Sequence, residues 1–331
     1  MVLCKRKPTG RRSVRQRWLQ RVLPAAVSIG ALSWLFLYGG IDFDDLFEAM
    51  TWKIAFVLTP ALAVYGALAL LLEARSILLL VECAPHSFNT WTAARIKSAS
   101  YLLSIVNYTL GAGALTILLQ RRAGLRLGES ASVVLLISSI DLVVVMVFGA
   151  VGATSMAISS PAQRELIVGM TIIAVLVSLG GVILLRIPGS LGPLDRIRSL
   201  TVFEALRNTP VERLLRLVVI RLIFSIAFLS VSGAAFLAFD ITPPIGQLVA
   251  GMMVVALVSA LPIAIAGIGT SQWAILEVFG NLADGSTLVA MSLVFSAGMI
   301  LLRTGMGVLF AREFTREALE RSGGSPSEIP L

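Results

Sequence analysis

Three charged residues fall inside long apolar runs, where a charge must be given something to do. Asp141 is the eleventh residue of a run from about Ala131 to Ala153. At that depth it reaches neither interface, and an unpaired carboxylate costs about 2.5 kcal/mol or more. It therefore calls for a polar interior, as a headgroup contact, a proton-linked switch or the partner of an arginine; a structural, hydrogen-bonded acid is the plainer alternative. Arg221 lies four residues into the run Leu217 to Phe239, and Arg303 about seven residues before the end of the run Thr287 to Phe310. Both side chains are long enough to snorkel to the interface. That reading is preferred for Arg221, whereas Arg303 stands open between snorkelling and holding a lipid phosphate through paired N–H donors. Asp141 and Arg303 occupy corresponding runs of the two halves, which makes them a candidate ion pair.

Two further apolar runs are interrupted by helix-weakening residues. Ser98 to Leu119 carries Ser104, Asn107, Thr109, Gly111, Gly113 and Thr116; Gln247 to Ile275 carries Pro262, Gly267, Gly269, Thr270, Ser271 and Gln272. Gly111, Gly113, Gly267 and Gly269, with Pro262, read as the tips of hairpins, where free φ and bare N–H groups suit a turn beside a headgroup. Close helix packing is the other use of such small residues. Asn107, Thr270, Ser271 and Gln272 lie beside those tips, either lining a substrate path or satisfying broken backbone.

Other chemistry is poorly supplied. His86 stands in a Cys-Ala-Pro-His-Ser segment without a second ligand nearby, and Cys4 and Cys83 have no pairing or metal spacing, so no metal or cofactor is expected. Ser138 and Ser139 near Asp141 lack a base, and neither a His-Glu-x-x-His nor a phosphate-cradling Gly-x-x-x-x-Gly-Lys-Ser/Thr motif is present. The expectation is a protein that is not an enzyme. Glu73 and Arg75 read as the boundary of a span, and Glu277 as an exposed loop acid.

The elements that position these residues follow from composition. Of 331 residues, 57% are hydrophobic and 14% charged, and the mean hydropathy is +0.90, which excludes an ordinary soluble domain. Continuous apolar runs argue for helices over a barrel. The class is an all-α polytopic membrane protein, with spans at about Val22 to Gly40, Ile54 to Leu72, Ala131 to Ala153, Leu166 to Leu185, Leu217 to Phe239 and Thr287 to Phe310.

Positive charge decides how the two interrupted segments are used. If both crossed, the arginine-bearing loops 120–130 and 186–216 would lie outside, against the positive-inside tendency. As re-entrant hairpins they leave only Lys53 and Arg164 outside. The sequence thus predicts six spanning helices and two re-entrant helical hairpins in the cell inner (cytoplasmic) membrane, with both termini cytoplasmic. The net charge of +8 is concentrated before Val22, where it suits anionic lipid headgroups and not nucleic acid.

An internal repeat emerges from the same reading. Gly111, Gly113 and the run from Ala131 precede Gly267, Gly269 and the run from Thr287 by 156 positions, and three crossings per half force the second half to be inverted, a recurrent transporter design. The organisation is a basic N-terminus 1–21, a first repeat 22–153, a second repeat 154–310 containing a cytoplasmic linker 186–216 with a short surface helix near 195–207, and a tail 311–331.

At its two interrupted segments the chain resembles the flippase-like membrane domain family, the transmembrane part of lysylphosphatidylglycerol synthases and stand-alone relatives. Leu261-Pro262-Ile263-Ala264-Ile265-Ala266-Gly267-Ile268-Gly269-Thr270-Ser271-Gln272 is similar to the family's Leu-Pro-x-Ser-x-Gly-Gly-x-Gly-x-x-Glu signature. Asn107-Tyr108-Thr109-Leu110-Gly111-Ala112-Gly113, followed by Arg121-Arg122-Ala123-Gly124, resembles its Asn-x-x-Pro-Gly turn and basic loop. Asp141 matches an Asp of the family's next helix. Leu110 stands for the family's Pro, Ala114 near its Glu, Ile137 and Ser138 for a Glu-Arg pair, and Gln272 for the final Glu, so the chain looks like a divergent member. The resemblance implies translocation of a phospholipid or isoprenoid-type lipid. About 21 residues follow Phe310, so no lysyl-transferring domain is expected there. The competing reading is a non-catalytic subunit that scaffolds lipid or envelope synthesis enzymes. The partners expected are membrane lipids, with a second copy or a lipid-synthesis enzyme also compatible.

Overall fold

The computed structural model describes residues 51–81, 88–106, 108–155, 200–260 and 269–323, with isolated helical positions at Gly169, Ile172, Leu176 and Gly180. Among the described residues the chain is helical throughout: α1 (Trp52–Leu80), α2 (Thr90–Val106), α3 (Tyr108–Ala123), α4 (Leu127–Ser155), a 3-10 turn Thr201–Phe203 running into α5 (Glu204–Asn208), α6 (Val211–Ala238), α7 (Ile245–Ala260), α8 (Thr270–Phe279) and α9 (Gly285–Gly323). Four stretches are long and apolar enough to cross a membrane: Trp52–Leu80, Leu127–Thr154, Val211–Ala238 and Gly285–Phe310. Their outward faces carry Phe56, Leu301 and Leu309, each at least 70% exposed. Apolar surface on that scale suits lipid and not water. This is a multi-pass membrane protein. The expected span Val22 to Gly40, and most of Leu166 to Leu185, lie outside the described residues.

The helices meet in pairs that repeat. α1 packs against α6, α4 against α7, and α2 against α9. α2 and α3 pack on each other, as do α7 and α8. Displacing α2 by 156 positions gives 246–262, beside α7 at 245–260, and displacing α4 gives 283–311, beside the start of α9 at 285. Each helical pair thus leans on the last long helix of the other half.

Both pairs are hairpins, and the geometry shows it. A Cβ on Gly111 would lie 2.8 Å from the Cα of Ser104, although residues seven apart in one straight helix are separated by about 10 Å. The chain therefore doubles back between α2 and α3. In the second pair, the Gln247 amide near the start of α7 donates to the carbonyl of Val278 (2.7 Å) and to Asn281 Oδ1 (2.9 Å) at the end of α8. Gly251 faces the Phe279 ring, 2.8 Å from where its Cβ would stand. The second hairpin thus finishes beside its own beginning.

Contacts between connecting segments sort the bundle into two ends. At one, Lys53 pairs with Asp240, and Gly152 abuts Gly246 and Ala250. At the other, Thr201 sits over Gly128, Ser132 accepts a hydrogen bond from the Ala205 amide, and Trp91 meets Phe310 edge-on at 5.2 Å. Arg121, Arg122, Arg126, Arg207, Arg213 and Arg216 belong to the second end. Near the first, Lys53 is the one basic side chain among the described residues. The linker helix expected near 195–207 is present in part, as the 3-10 turn and α5.

Candidate functional site

Five helices each deliver one charged residue to, or directly behind, the wall of one cavity. Glu73 lies near the end of α1, Lys97 on α2, Asp141 midway along α4, Arg221 in the first half of α6, and Arg303 in the membrane stretch of α9. Glu73 Oε2 accepts from Arg221 Nη2 at 2.9 Å while its Oε1 stands 3.1 Å from Lys97 Nζ. Arg221 Nη1 reaches Asp141 Oδ2 at 3.4 Å. The Arg221 side chain is fully buried and that of Glu73 is 9% exposed, whereas Asp141 is 31% exposed. A buried guanidinium is tolerable only if its charge is matched and its N–H groups are used, and two carboxylates on different helices do this. Its Cζ also lies 5.5 Å from the centroid of the Phe224 ring, a favourable cation–π distance.

The cluster forms one wall of a cavity of about 520 Å³ bounded by α1, α2, α3, α4, α6, α7, α8 and α9. Its polar lining comprises Glu73, Lys97, Asp141 and Arg303 with hydroxyls that include Tyr101, Ser104 and Ser138. Tyr108 and Ser138 are themselves joined, oxygen to oxygen, at 3.3 Å. Farther along the same helices the lining turns apolar: Phe228 on α6, Phe295 and Met299 on α9, and Met253 on α7. Phe228 and Phe295 face each other with centroids 6.3 Å apart. The space is therefore amphipathic along its length, with charge at one level and aromatic and thioether surface at another.

Several expectations need correction. The partner of Asp141 is Arg221 and not Arg303, because α4 and α6 bring the first two together while Arg303 projects from α9. Arg221 does not snorkel: it turns into the bundle and is the largest fully buried side chain among the described residues. Glu73 is no boundary, since α1 continues past it to Leu80 and the carboxylate is enclosed. Gly111 and Gly113 are not a turn. Both lie inside α3, where Gly111 lets the helix approach Ser104 and Gly113 faces open space. Glu277 is exposed as expected, but on α8 and not on a loop.

The second signature is used differently along its length. Gly269 has φ +92°, a conformation that other residues adopt only with strain, and leads directly into α8. Gln272 is fully buried; its Oε1 accepts the Gly269 amide at 2.6 Å and the Ser271 hydroxyl at 3.1 Å, and its Nε2 donates to Ser296 at 3.3 Å. Its amide thus fastens the start of α8 to itself and to α9. Ser271 lines the cavity, and Thr270 begins the helix. Asn107, Pro262 and Gly267 lie outside the described residues. Lys97 and Glu73 were missed by the sequence reading, although the apolar Ile77 to Val81 after Glu73 was a signal that the helix continues.

A two-hairpin helical bundle with a charged, half-apolar cavity is the setting in which the comparison with known families has meaning. The family described as the lysylphosphatidylglycerol synthase TM region matches residues 21–307. The chain belongs to that family. The family is a membrane domain linked to lipid synthesis or flipping. No curated protein and no solved structure matches the chain.

Proposed function

We propose that this member of the lysylphosphatidylglycerol synthase TM region family is a lipid translocase of the cytoplasmic membrane. It passes a headgroup through the cavity between its two hairpins while the tails stay among apolar side chains. The observation that carries the reading is the cavity itself: ion-paired residues from α1, α2 and α4, backed by the buried Arg221 of α6, at one level and Phe228, Phe295 and Met299 at another. Buried charges in a membrane domain mark pathways in preference to cores. The repeated pairing of helices at a displacement of 156 supports an inverted repeat, a design that moves one half against the other about a midplane site. On this reading the hairpins are re-entrant from opposite faces and the arginine-rich end is cytoplasmic, as are both termini.

The test is translocation by the purified chain in proteoliposomes, with headgroup-labelled phospholipids and isoprenoid lipids. Transport selective for one lipid class is expected. Asp141→Asn should slow it about tenfold or more, equivalent to roughly 1.4 kcal/mol on the barrier. The competing reading, a subunit that scaffolds lipid or envelope synthesis enzymes, draws on Gln272, which stands for the family's Glu and is consumed as a cap. A folded protein that moves no lipid yet co-purifies with such an enzyme would favour it.

A further inference from the structure

We propose that the cavity takes a lipid whose headgroup is a net anionic phosphate ester, held by Arg303. The proposal rests on the translocase reading and narrows its substrate. Charge balance among the described residues carries it. Glu73 is shared by Lys97 and Arg221, and Arg221 is shared with Asp141, so these two acids and two bases cancel. Arg303 lines the same cavity, is exposed, and forms no ion pair with a described acid. One positive charge is therefore left facing the space, and no described carboxylate other than Glu73 and Asp141, both already engaged, lines it to receive an ammonium group.

An arginine with surrounding hydroxyls is a phosphate site in chemical terms. The guanidinium donates two parallel N–H groups, and Tyr101 on the same wall supplies an O–H donor, whereas the Ser100 and Ser104 hydroxyls donate to the carbonyls of Lys97 and Tyr101. The lining then separates a lipid phosphate from a free one. Met299 and Phe295 precede Arg303 on α9 by four and eight residues, about 6 and 12 Å along the axis. An anion at Arg303 has apolar surface within reach of its glycerol and first acyl carbons, a feature useless to inorganic phosphate. A cationic aminoacyl headgroup, such as lysylphosphatidylglycerol carries, would place its ammonium groups beside Arg303 with no unpaired acid to meet them.

The measurement is lipid retention by the purified full-length chain in mixed micelles, read by native mass spectrometry, with phosphatidylglycerol, a neutral glycosyl-diacylglycerol and lysylphosphatidylglycerol offered at equal concentration. Phosphatidylglycerol should be retained about tenfold over the other two. Arg303→Gln should abolish that preference with the melting temperature unchanged, Arg303→Lys should keep part of it, and Arg126→Gln, on the exposed segment between α3 and α4, should leave it intact. Equal retention, preference for the cationic or neutral lipid, or a preference that survives Arg303→Gln overturns the proposal. Inorganic phosphate competing as well as phosphatidylglycerol overturns the lipid assignment. Retention with this selectivity but without transport in proteoliposomes sinks the translocase reading alone, so the two failures are told apart.

Discussion

Arg221 is the residue on which the buried cluster turns. It holds Glu73 at 2.9 Å and Asp141 at 3.4 Å from a site with no exposed side-chain surface. Replacing it by glutamine leaves two carboxylates without their shared cation, and only Lys97 remains to serve Glu73. Removing one partner of a buried pair costs about 3–5 kcal/mol, so Arg221→Gln should lower the detergent-solubilised protein's unfolding stability by that order. Asp141→Asn should cost about 1 kcal/mol or less, because Arg221 keeps Glu73 and Asp141 is partly open to the cavity. Unfolding curves of the two variants side by side separate the structural from the functional member. If both fell equally, Asp141 would be a structural acid. Asp141 was legible in the sequence because depth in an apolar run is a one-dimensional property. Its partner was not, since pairing depends on which helices touch, and α4 touches α6 across 80 residues of chain.

Among the elements, the hairpins show where the sequence reading worked and where it failed. The two interrupted apolar runs fall on the packed helical pairs α2–α3 and α7–α8. The place of the first turn was misjudged, because glycine serves both for free φ and for close packing. Only three-dimensional proximity distinguishes the two uses, and at Gly111 the neighbour is Ser104 of the facing helix. That difference is measurable. Gly111→Ala would drive a methyl into the Ser104 backbone and should destabilise by about 1–3 kcal/mol. Gly113→Ala, in the same helix with nothing within 4 Å, should be neutral or stabilise by up to about 1 kcal/mol through helix propensity. Thermal unfolding of both variants checks the pair; a destabilising Gly113→Ala with a silent Gly111→Ala would contradict the packing of α2 against α3.

At the scale of the whole molecule, the distribution of arginine and the contacts between connecting segments make one joint statement about orientation. Thr201 over Gly128 and Trp91 against Phe310 join segments far apart in sequence at a single end, and that end holds Arg126, Arg207 and Arg213. Lys53 and Asp240 mark the opposite one. Translocated loops rarely keep so many arginines, so the arginine-rich end should face the cytoplasm, as the sequence alone predicted from charge. Single cysteines settle it in a Cys4→Ser, Cys83→Ser background. Arg126→Cys and Asn208→Cys, both at exposed positions, should resist a membrane-impermeant maleimide applied to intact cells and label after lysis. Thr242→Cys, exposed between α6 and α7, should label from outside. If Arg126 and Asn208 gave opposite results, the chain would cross the membrane an odd number of times between them, against the two spans, Ala131 to Ala153 and Leu166 to Leu185, that the sequence predicts there. If all three positions reversed together, the bundle would stand and its orientation would be inverted, with the lipid then captured from the outer leaflet.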